Sequence, residues 1–469
     1  MTRPLVCYAR VRSFMLGDAG VGSITEGLVT PPSGTTPQMM RALNHRIVFR
    51  CIQACGKVSR ADLARRIGLS KPTISLVVGD LQRAGLVRVA GHRLPTGLGK
   101  SSLLFEPDPT AGYVLGIGVG RHWVRTGIAD FSGDLLARHD VPNHSGGTAG
   151  LVSLVSSAVA HVQASAGLTQ ERIVATVLGG PGVLDYRTRR FVYAPNLPGW
   201  SRPGVLDALE ASMRREIYFD NDVALATIAE AALGAGRGFT TFVYLWIGTG
   251  VGARLWLHGQ LYRGATGTAG EIGFLPLSPS TGMDNTPALA VERRHGRTER
   301  NVTAGAMLRS ARRFGIRNCD EATELFEMAG AGEPRAIRVI EQEGRRVAHL
   351  LAAIVALLDP GLVLFGGSIG HHLGQMADVL NRELRQLSPL RPHIATARFA
   401  DDAVLLGAVT AALGRAREQV FDESMRRIGA QVVPLNMSRD SRLDGAVPSS
   451  TGPARSSIDA LEGLGGPNG

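Results

Sequence analysis

The sequence predicts a small, mainly α-helical winged helix-turn-helix head followed by a large α/β body of two lobes. Three observations carry this. The stretch SRADLARRIGLSKPTISLVVGDLQRAGL, Ser59 to Leu86, spells two short capped helices joined by a tight turn. Nearly all the excess positive charge sits around it. From Gly112 onward, apolar strands alternate with amphipathic helices.

The head is read from its caps and apolar spacing. A first helix is expected over Met40 to Ala54, with Leu43, Ile47, Val48 and Ile52 as its core face. Ser59 with Asp62 three residues on makes a capping-box start; Leu63, Ala64 and Ile67 follow as an apolar face, and Gly68 closes the helix. Ser70 is a natural N-cap for the next helix. Pro72 sits in its first turn, where a missing N–H is harmless, and Ile74, Val77, Val78 and Leu81 recur at helical spacing. The other face is left for DNA. After Gly85, two short strands flank a Gly/Pro-rich loop and form a wing that carries Arg88, His92, Arg93 and Lys100.

Charge supports the same assignment. Pro37 to Leu104 holds 12 Lys plus Arg against only Asp62 and Asp80, so this segment carries about +10 of the chain's formal +11. A basic module on a near-neutral body implies that the module alone neutralises phosphates.

The body begins with strands around a hairpin turn at Asp130, Ser132 and Gly133, then a helix over Leu151 to Ala166 and a buried strand from Ile173 to Leu178. A second set starts at Phe242 with TFVYLWI, the loop Gly248 to Gly250 and a hairpin through HGQLYRG, which suggests an internal duplication. Arg335 to Leu358 is a long helix, LVLFGG a strand, and Leu405 to Glu418 the last helix. The expected boundaries are a disordered lead-in at 1–36, the head at 37–108, the body at 109–426 and a disordered Ser/Gly/Pro/Asp-rich tail at 427–469.

Composition excludes several classes. With 469 residues and 44% hydrophobic content the chain can build two or three cores. Cys7, Cys51, Cys55 and Cys319 lack metal-ligand spacing, and Cys51 with Cys55 reads as one helix face, in keeping with a reduced cytoplasm. No apolar run approaches the length of a membrane span, and the N-terminus lacks the order of a signal peptide. No membrane partner is expected.

The runs GLSKPTISLVVGDLQRAGLV, APNLPGW (Ala194 to Trp200), DND (Asp220 to Asp222), IGTGVG (Ile247 to Gly252) and YRGATGTAGEIG (Tyr262 to Gly273) together resemble the ROK family, and in particular its winged-helix transcriptional regulators. The likeness covers roughly Arg41 to Arg417. It implies an actin-like, two-lobed, sugar-kinase-type (ribonuclease H-like) body with a sugar-binding cleft, usually in dimers or tetramers.

Departures from the family pattern point away from catalysis. Kinases of the family carry an Asp that positions magnesium-bound phosphates in a G-x-D-x-G-G-T turn; here Gly118 takes its place, and Arg121 and His122 replace the following Gly-Thr. Phosphoryl transfer depends almost wholly on positioning and charge neutralisation, so losing this turn removes a central part. The loop Gly248, Thr249, Gly250 survives as a nucleotide-loop remnant, whether for phosphate or because the turn after a buried strand needs glycine. Phe274 stands where the family has a zinc-binding His, and the segment after it has no Cys, so no zinc is expected there and no cofactor is implied.

The remaining polar groups of the cleft, Asn196, Asn221, Asp222 and Glu271, suit hydroxyl recognition. By the resemblance Asp222 matches the general base of the kinases. Equally, Asp220 to Asp222 would suit the start of a helix near Val223, and Glu271 could be a helix-start charge. On the head, the DNA-binding residues begin at Ser70; Lys71, Thr73 and Ser75 are placed to approach base edges, Arg83 is placed for a phosphate, and the wing residues Arg88, Arg93 and Lys100 for phosphates or an adjacent minor groove. The expectation is a non-enzymatic cytoplasmic regulator, a repressor of carbohydrate-related genes. It would bind double-stranded operator DNA as a homodimer or homotetramer and respond to a sugar or sugar derivative. The alternative is an ATP-dependent sugar kinase with an added DNA-binding head.

Overall fold

A computed structural model describes residues 36–94, 101–185, 187–192, 197–276 and 296–429. The first helix, α1 (Pro37–Cys55), starts three residues before the expected position. The Thr36 hydroxyl accepts from the Met39 amide at 3.2 Å, and Pro37 sits at the first helical position, whose N–H has no partner within the helix. The strand β1 (Val58–Ser59) leads into α2 (Arg60–Ile67), which opens on the expected capping box: the Ser59 Oγ accepts from the Asp62 amide at 3.2 Å, and the Asp62 carboxylate accepts from the Ser59 amide at 3.4 Å. Gly68, at φ 77°, takes the left-handed conformation that turns the chain toward α3 (Lys71–Arg83). The wing strands β2 (Val87–Arg93) and β3 (Ser102–Pro107) pair antiparallel, and β1 adds to β3. Val48, Ile52, Leu63, Ile74, Val78, Leu81 and Phe105 are all fully buried in one core.

The first lobe of the body consists of β4 (Tyr113–Val119), β5 (Trp123–Asp130), β6 (Leu135–Pro142), β7 (Ile173–Gly180), a small ribbon of β8 (Val183–Asp185) and β9 (Arg190–Val192), and β10 (Tyr218–Asn221). Its sheet runs in the order β10-β7-β4-β5-β6. The second lobe contains β11 (Phe242–Ile247), β12 (Val251–Leu257), β13 (Gln260–Tyr262), β14 (Leu362–Gly366) and β15 (His393–Thr396), in the order β13-β12-β11-β14-β15. In both sheets the first three strands form an antiparallel meander, and the first strand pairs parallel with the fourth, which pairs parallel with the fifth. The suspected duplication is thus visible in topology.

Helices cover both sheets. On the first, α4 (Thr148–Ala166) and α5 (Val205–Met213) pack on Leu115, Ile117 and Ile128, while α6 (Asp222–Leu233) lies between the two lobes. The second lobe carries α7 (Arg297–Asn301), α8 (Ala304–Arg313), α9 (Glu324–Gly330), α10 (Pro334–Leu358), the short α11 (Gly367–Gly370) and α12 (Leu373–Leu387). The last helix, α13 (Ala403–Arg427), returns to the first lobe, where Leu405, Ala408 and Val409 cover the face of Val114 and Ala175. Gly407 permits this return: a Cβ there would sit 1.9 Å from the Leu225 carbonyl oxygen of α6.

One expectation is corrected. By length and composition α4 is apolar enough to cross a membrane, because its Leu, Val and Ala are diluted only by uncharged Ser, Gly, Thr, Gln and His. In the fold, Leu151, Val155, Ala158, Val159 and Val162 of α4 turn their side chains onto the sheet.

Head and body are joined through α1 and α13. The Arg46 guanidinium pairs with Glu418 and Asp422 (2.5 Å to Asp422), Arg50 reaches Glu418 at 3.0 Å, and Phe49 stacks on Phe131 and Phe421 at 6.3 and 5.4 Å between ring centroids.

Candidate DNA interface and ligand cleft

The apolar stripe of α3 is spent on the core, so its opposite face is presented outward. Lys71 and Ser75 are exposed there, Thr73 is half-buried, and Leu76 is 59% exposed. Ser70 caps the helix: its Oγ accepts from the Thr73 amide at 3.3 Å and shares a 2.8 Å hydrogen bond with the Thr73 hydroxyl. The three arginines assigned to phosphates each have a carboxylate partner within the head. Arg83 pairs with Asp80, Arg88 with the buried Glu106 at 2.9 Å, and Arg93 with Asp62 at 2.8 Å. These pairs leave the guanidiniums largely exposed, at 70%, 45% and 52% of the side chain, so they remain accessible to solvent while their orientation is held. Burial alone would raise the Asp62 carboxyl, but hydrogen bonds from Ser59, Arg65 and Arg93 outweigh it and bring it down to about 2. Lys100 lies outside the described residues.

Helix packing fixes the orientation of this face. His45 on α1 hydrogen-bonds the Asp80 carboxylate on α3 at 2.8 Å through Nε2, and its Nδ1 lies 2.7 Å from the Arg41 carbonyl oxygen. α1 therefore holds α3 on one side and α13 on the other.

The second site lies where β10, α6, β12 and α7 meet. Asn221 is the N-cap of α6: its Oδ1 accepts from the Val223 and Ala224 amides at 3.0 and 3.2 Å, and its Nδ2 donates to the Gly182 carbonyl at 3.0 Å. The capping reading therefore accounts for most of the Asn221 amide. Asp220 is held by a bidentate contact with Arg263 at 2.9 and 2.6 Å. Asp222 is different. One of its oxygens accepts from the Val223 amide at 2.8 Å, and burial pushes its carboxyl up, with Arg254 opposing and Glu271 reinforcing the shift.

Arg254 and Glu299 escaped the sequence reading. Arg254 is only 4% exposed; it donates to the Ala253 and Ala269 carbonyls at 2.8 and 3.2 Å and to Glu271 at 3.0 Å. Glu271 stands at the N-cap position of the short turn Ile272–Phe274 but makes no cap hydrogen bond to it; its carboxylate faces Arg254. Glu299 accepts from the Val251 amide at 2.9 Å, and burial with help from Glu271 pushes its carboxyl up to about 7. A charged residue inside the apolar strand VGARLWL was a usable signal for Arg254. Nothing local marked Glu299. Glu271 pairs with Arg254, and both Asp222 and Glu299 lie within electrostatic reach of Glu271; carboxylate oxygens so gathered can accept from the hydroxyl groups of a neutral ligand.

The nucleotide-loop remnant is shaped by the same residues. The Gly248 carbonyl accepts from the Ala304 amide at 2.8 Å, and a Cβ on Gly250 would lie 2.9 Å from the end of the Glu299 side chain. Thr249 is exposed. Gly118 lies buried in β4, where an added Cβ would meet a Val404 methyl at 3.4 Å. Asn196 falls outside the described residues, as does the segment after Leu275 and Pro276 up to 295 in which a zinc loop would lie. Phe274 is half-exposed, and its ring offers no metal ligand.

Comparison with known proteins gives two matches along the chain: the ROK family over residues 114–415 and a winged helix-turn-helix DNA-binding domain over residues 42–88. The first spans well over half of the sequence. The chain belongs to the ROK family. Among its relatives, a xylose repressor of Caldicellulosiruptor bescii is 21% identical over 388 residues, covering 79% of this chain and 95% of the relative. The DNA-binding transcriptional dual regulator NagC of Escherichia coli is 23% identical over 336 residues, covering 71% of this chain and 82% of the relative. A solved ROK family transcriptional regulator, described as a homolog of the E. coli MLC protein, superposes at TM-score 0.67 with 18% identity, covering 83% of this chain and all of that one. It shows the fold. Glucokinases and a hexokinase of the ROK family match the body as well, so family membership by itself does not separate regulator from enzyme.

Proposed function

We propose that this ROK protein is a cytoplasmic transcriptional regulator, a repressor, that grips an operator in duplex DNA with paired winged heads and senses a sugar or sugar derivative in the cleft between its lobes. The observation that carries the proposal is the exposed, cationic face of α3 and the wing on a head clamped to a kinase-like body whose phosphate turn has Gly118 in place of a carboxylate. Asp222, Glu271 and Glu299, with Arg254 paired to Glu271, would take the ligand's hydroxyl groups. Lobe closure on the ligand would then move the two heads of a homodimer or homotetramer out of register with their half-sites.

The test is binding of the full chain to duplex DNA from beside its own gene, followed by fluorescence anisotropy across a salt series. With about 6 to 10 phosphate contacts, affinity falls by roughly 10³ to 10⁵ between 50 and 200 mM salt, and Arg83→Ala lowers the slope by about one. A response flat in salt would overturn the reading. The retained Asp222 and the loop Gly248 to Gly250 favour a sugar kinase as the second reading. ADP release across a panel of sugars, abolished by Asp222→Asn, would establish that reading in place of ours.

A further inference from the structure

Leu76 is the large apolar residue that α3 leaves in water. Its helix buries Ile74, Val77, Val78 and Leu81, and Leu76 stands on the other side at 59% exposure. Pro72 lies one turn earlier on the same face and is exposed, as is the neighbouring Ser75. Gly79 lies one turn later, where an added Cβ would meet nothing within 4 Å. An isolated exposed leucine on a protein surface is ordinary. This one lies in the N-terminal half of the helix whose outward face carries Lys71 and Ser75, the part of such a helix that approaches base edges.

We propose that Leu76 determines operator specificity by packing its side chain on the C5-methyl group of thymine in the major groove. The inference rests on the DNA-binding reading above. Thymine is the one base that presents a methyl group in that groove, and the contact removes apolar surface from water on both partners. Ser75, beside it, supplies a hydroxyl that bonds to several base edges and so discriminates little. Leu76 rejects cytosine, whose C5 carries only hydrogen. Gly79 contributes by what it lacks: with no side chain one turn on, the helix can approach the base edges closely at Leu76.

The full chain first enriches duplexes from a random pool at low salt. The enriched duplex is then remade with each dT replaced singly by dU, which deletes the methyl and leaves the pairing edge unchanged. At the contacted positions dU weakens binding about fourfold per methyl. Leu76→Ala binds the dT and dU forms of those positions equally and keeps the wild-type salt slope, while Leu76→Met, which retains apolar reach, still prefers dT. Alanine is a strong helix former at an exposed site, so the variant folds, and circular dichroism checks this. Equal dU losses in wild type and Leu76→Ala, or no dU effect in wild type, overturn the assignment of Leu76 while leaving DNA binding intact. Failure to enrich any duplex overturns the DNA-binding reading, and this inference falls with it.

Discussion

Replacing Arg46 with methionine tests the joint between head and body. The arginine is 5% exposed, pairs with Glu418 and Asp422, and lies 4.9 Å above the Phe421 ring. Methionine keeps an apolar stem of similar length on that ring and removes the charge. Glu418 retains Arg50 at 3.0 Å, whereas Asp422 loses its cation. Breaking a fully buried pair costs about 3–5 kcal/mol because an uncompensated charge remains. Both carboxylates are 27% exposed and recover some water, which brings the expected cost below that of a fully buried pair, to about 2–3 kcal/mol.

That loss falls on the docking of a head of some 70 residues, a size for which each kcal/mol corresponds to about 4–8 °C of melting temperature. Differential scanning calorimetry is therefore expected to resolve an early head transition at least about 8 °C below that of the body. Amide exchange should accelerate in α1 first. A double-mutant cycle with Asp422→Asn should give a coupling of about 1 kcal/mol or more. A single transition within about 1 °C of wild type, with no coupling, would refute the claim that this ion pair fastens the head.

Other outcomes follow from single groups. Asp222→Asn should weaken binding of whichever sugar the protein takes by about 10- to 100-fold in titration calorimetry, the cost of losing one charged hydrogen-bond acceptor, with DNA affinity in the absence of sugar unchanged. Glu343 is fully buried with one oxygen lacking a partner, and burial pushes its carboxyl up to about 8, with Arg346 opposing. Since the folded value lies above the unfolded one, the stability it contributes is complete below about pH 4.5 and is lost as pH rises toward 8, so Glu343→Gln should flatten the fall in melting temperature over that window. Ser59→Ala removes the α2 cap and should cost about 1 kcal/mol in urea unfolding of the head.

What the sequence revealed was local. Ser59, Gly68, Ser70 and Pro72 act within one helical turn, so their pattern is legible without knowing the rest of the fold. The ligand cleft was legible only in part, because its geometry is built from distant segments. Glu299 meets Val251 from 48 positions away, and Arg254 reaches Glu271 from a neighbouring strand. The same distance hid the partners of Arg88 and Arg93, Glu106 and Asp62, which convert an apparent reserve of loose cations into oriented ones. The expectation that no apolar run approaches the length of a membrane span missed α4, whose Leu, Val and Ala are interrupted by uncharged polar residues and whose apolar side chains pack on the sheet.

The two sites are mechanically related through α13. Its 25 residues at about 1.5 Å each span about 37 Å. At its start, Asp402 is held by Arg138 at 2.6 Å and Val404 lies against Gly118 of β4. At its end, Glu418, Phe421 and Asp422 grip α1 of the head, and α1 in turn holds α3 through the His45–Asp80 bond. Gly407 lies in backbone contact with α6, whose first residue is the cleft carboxylate Asp222. On the proposed function, a rotation of α6 on ligand closure would meet no soft layer before α13, because a close backbone contact lacks the side chains that could repack.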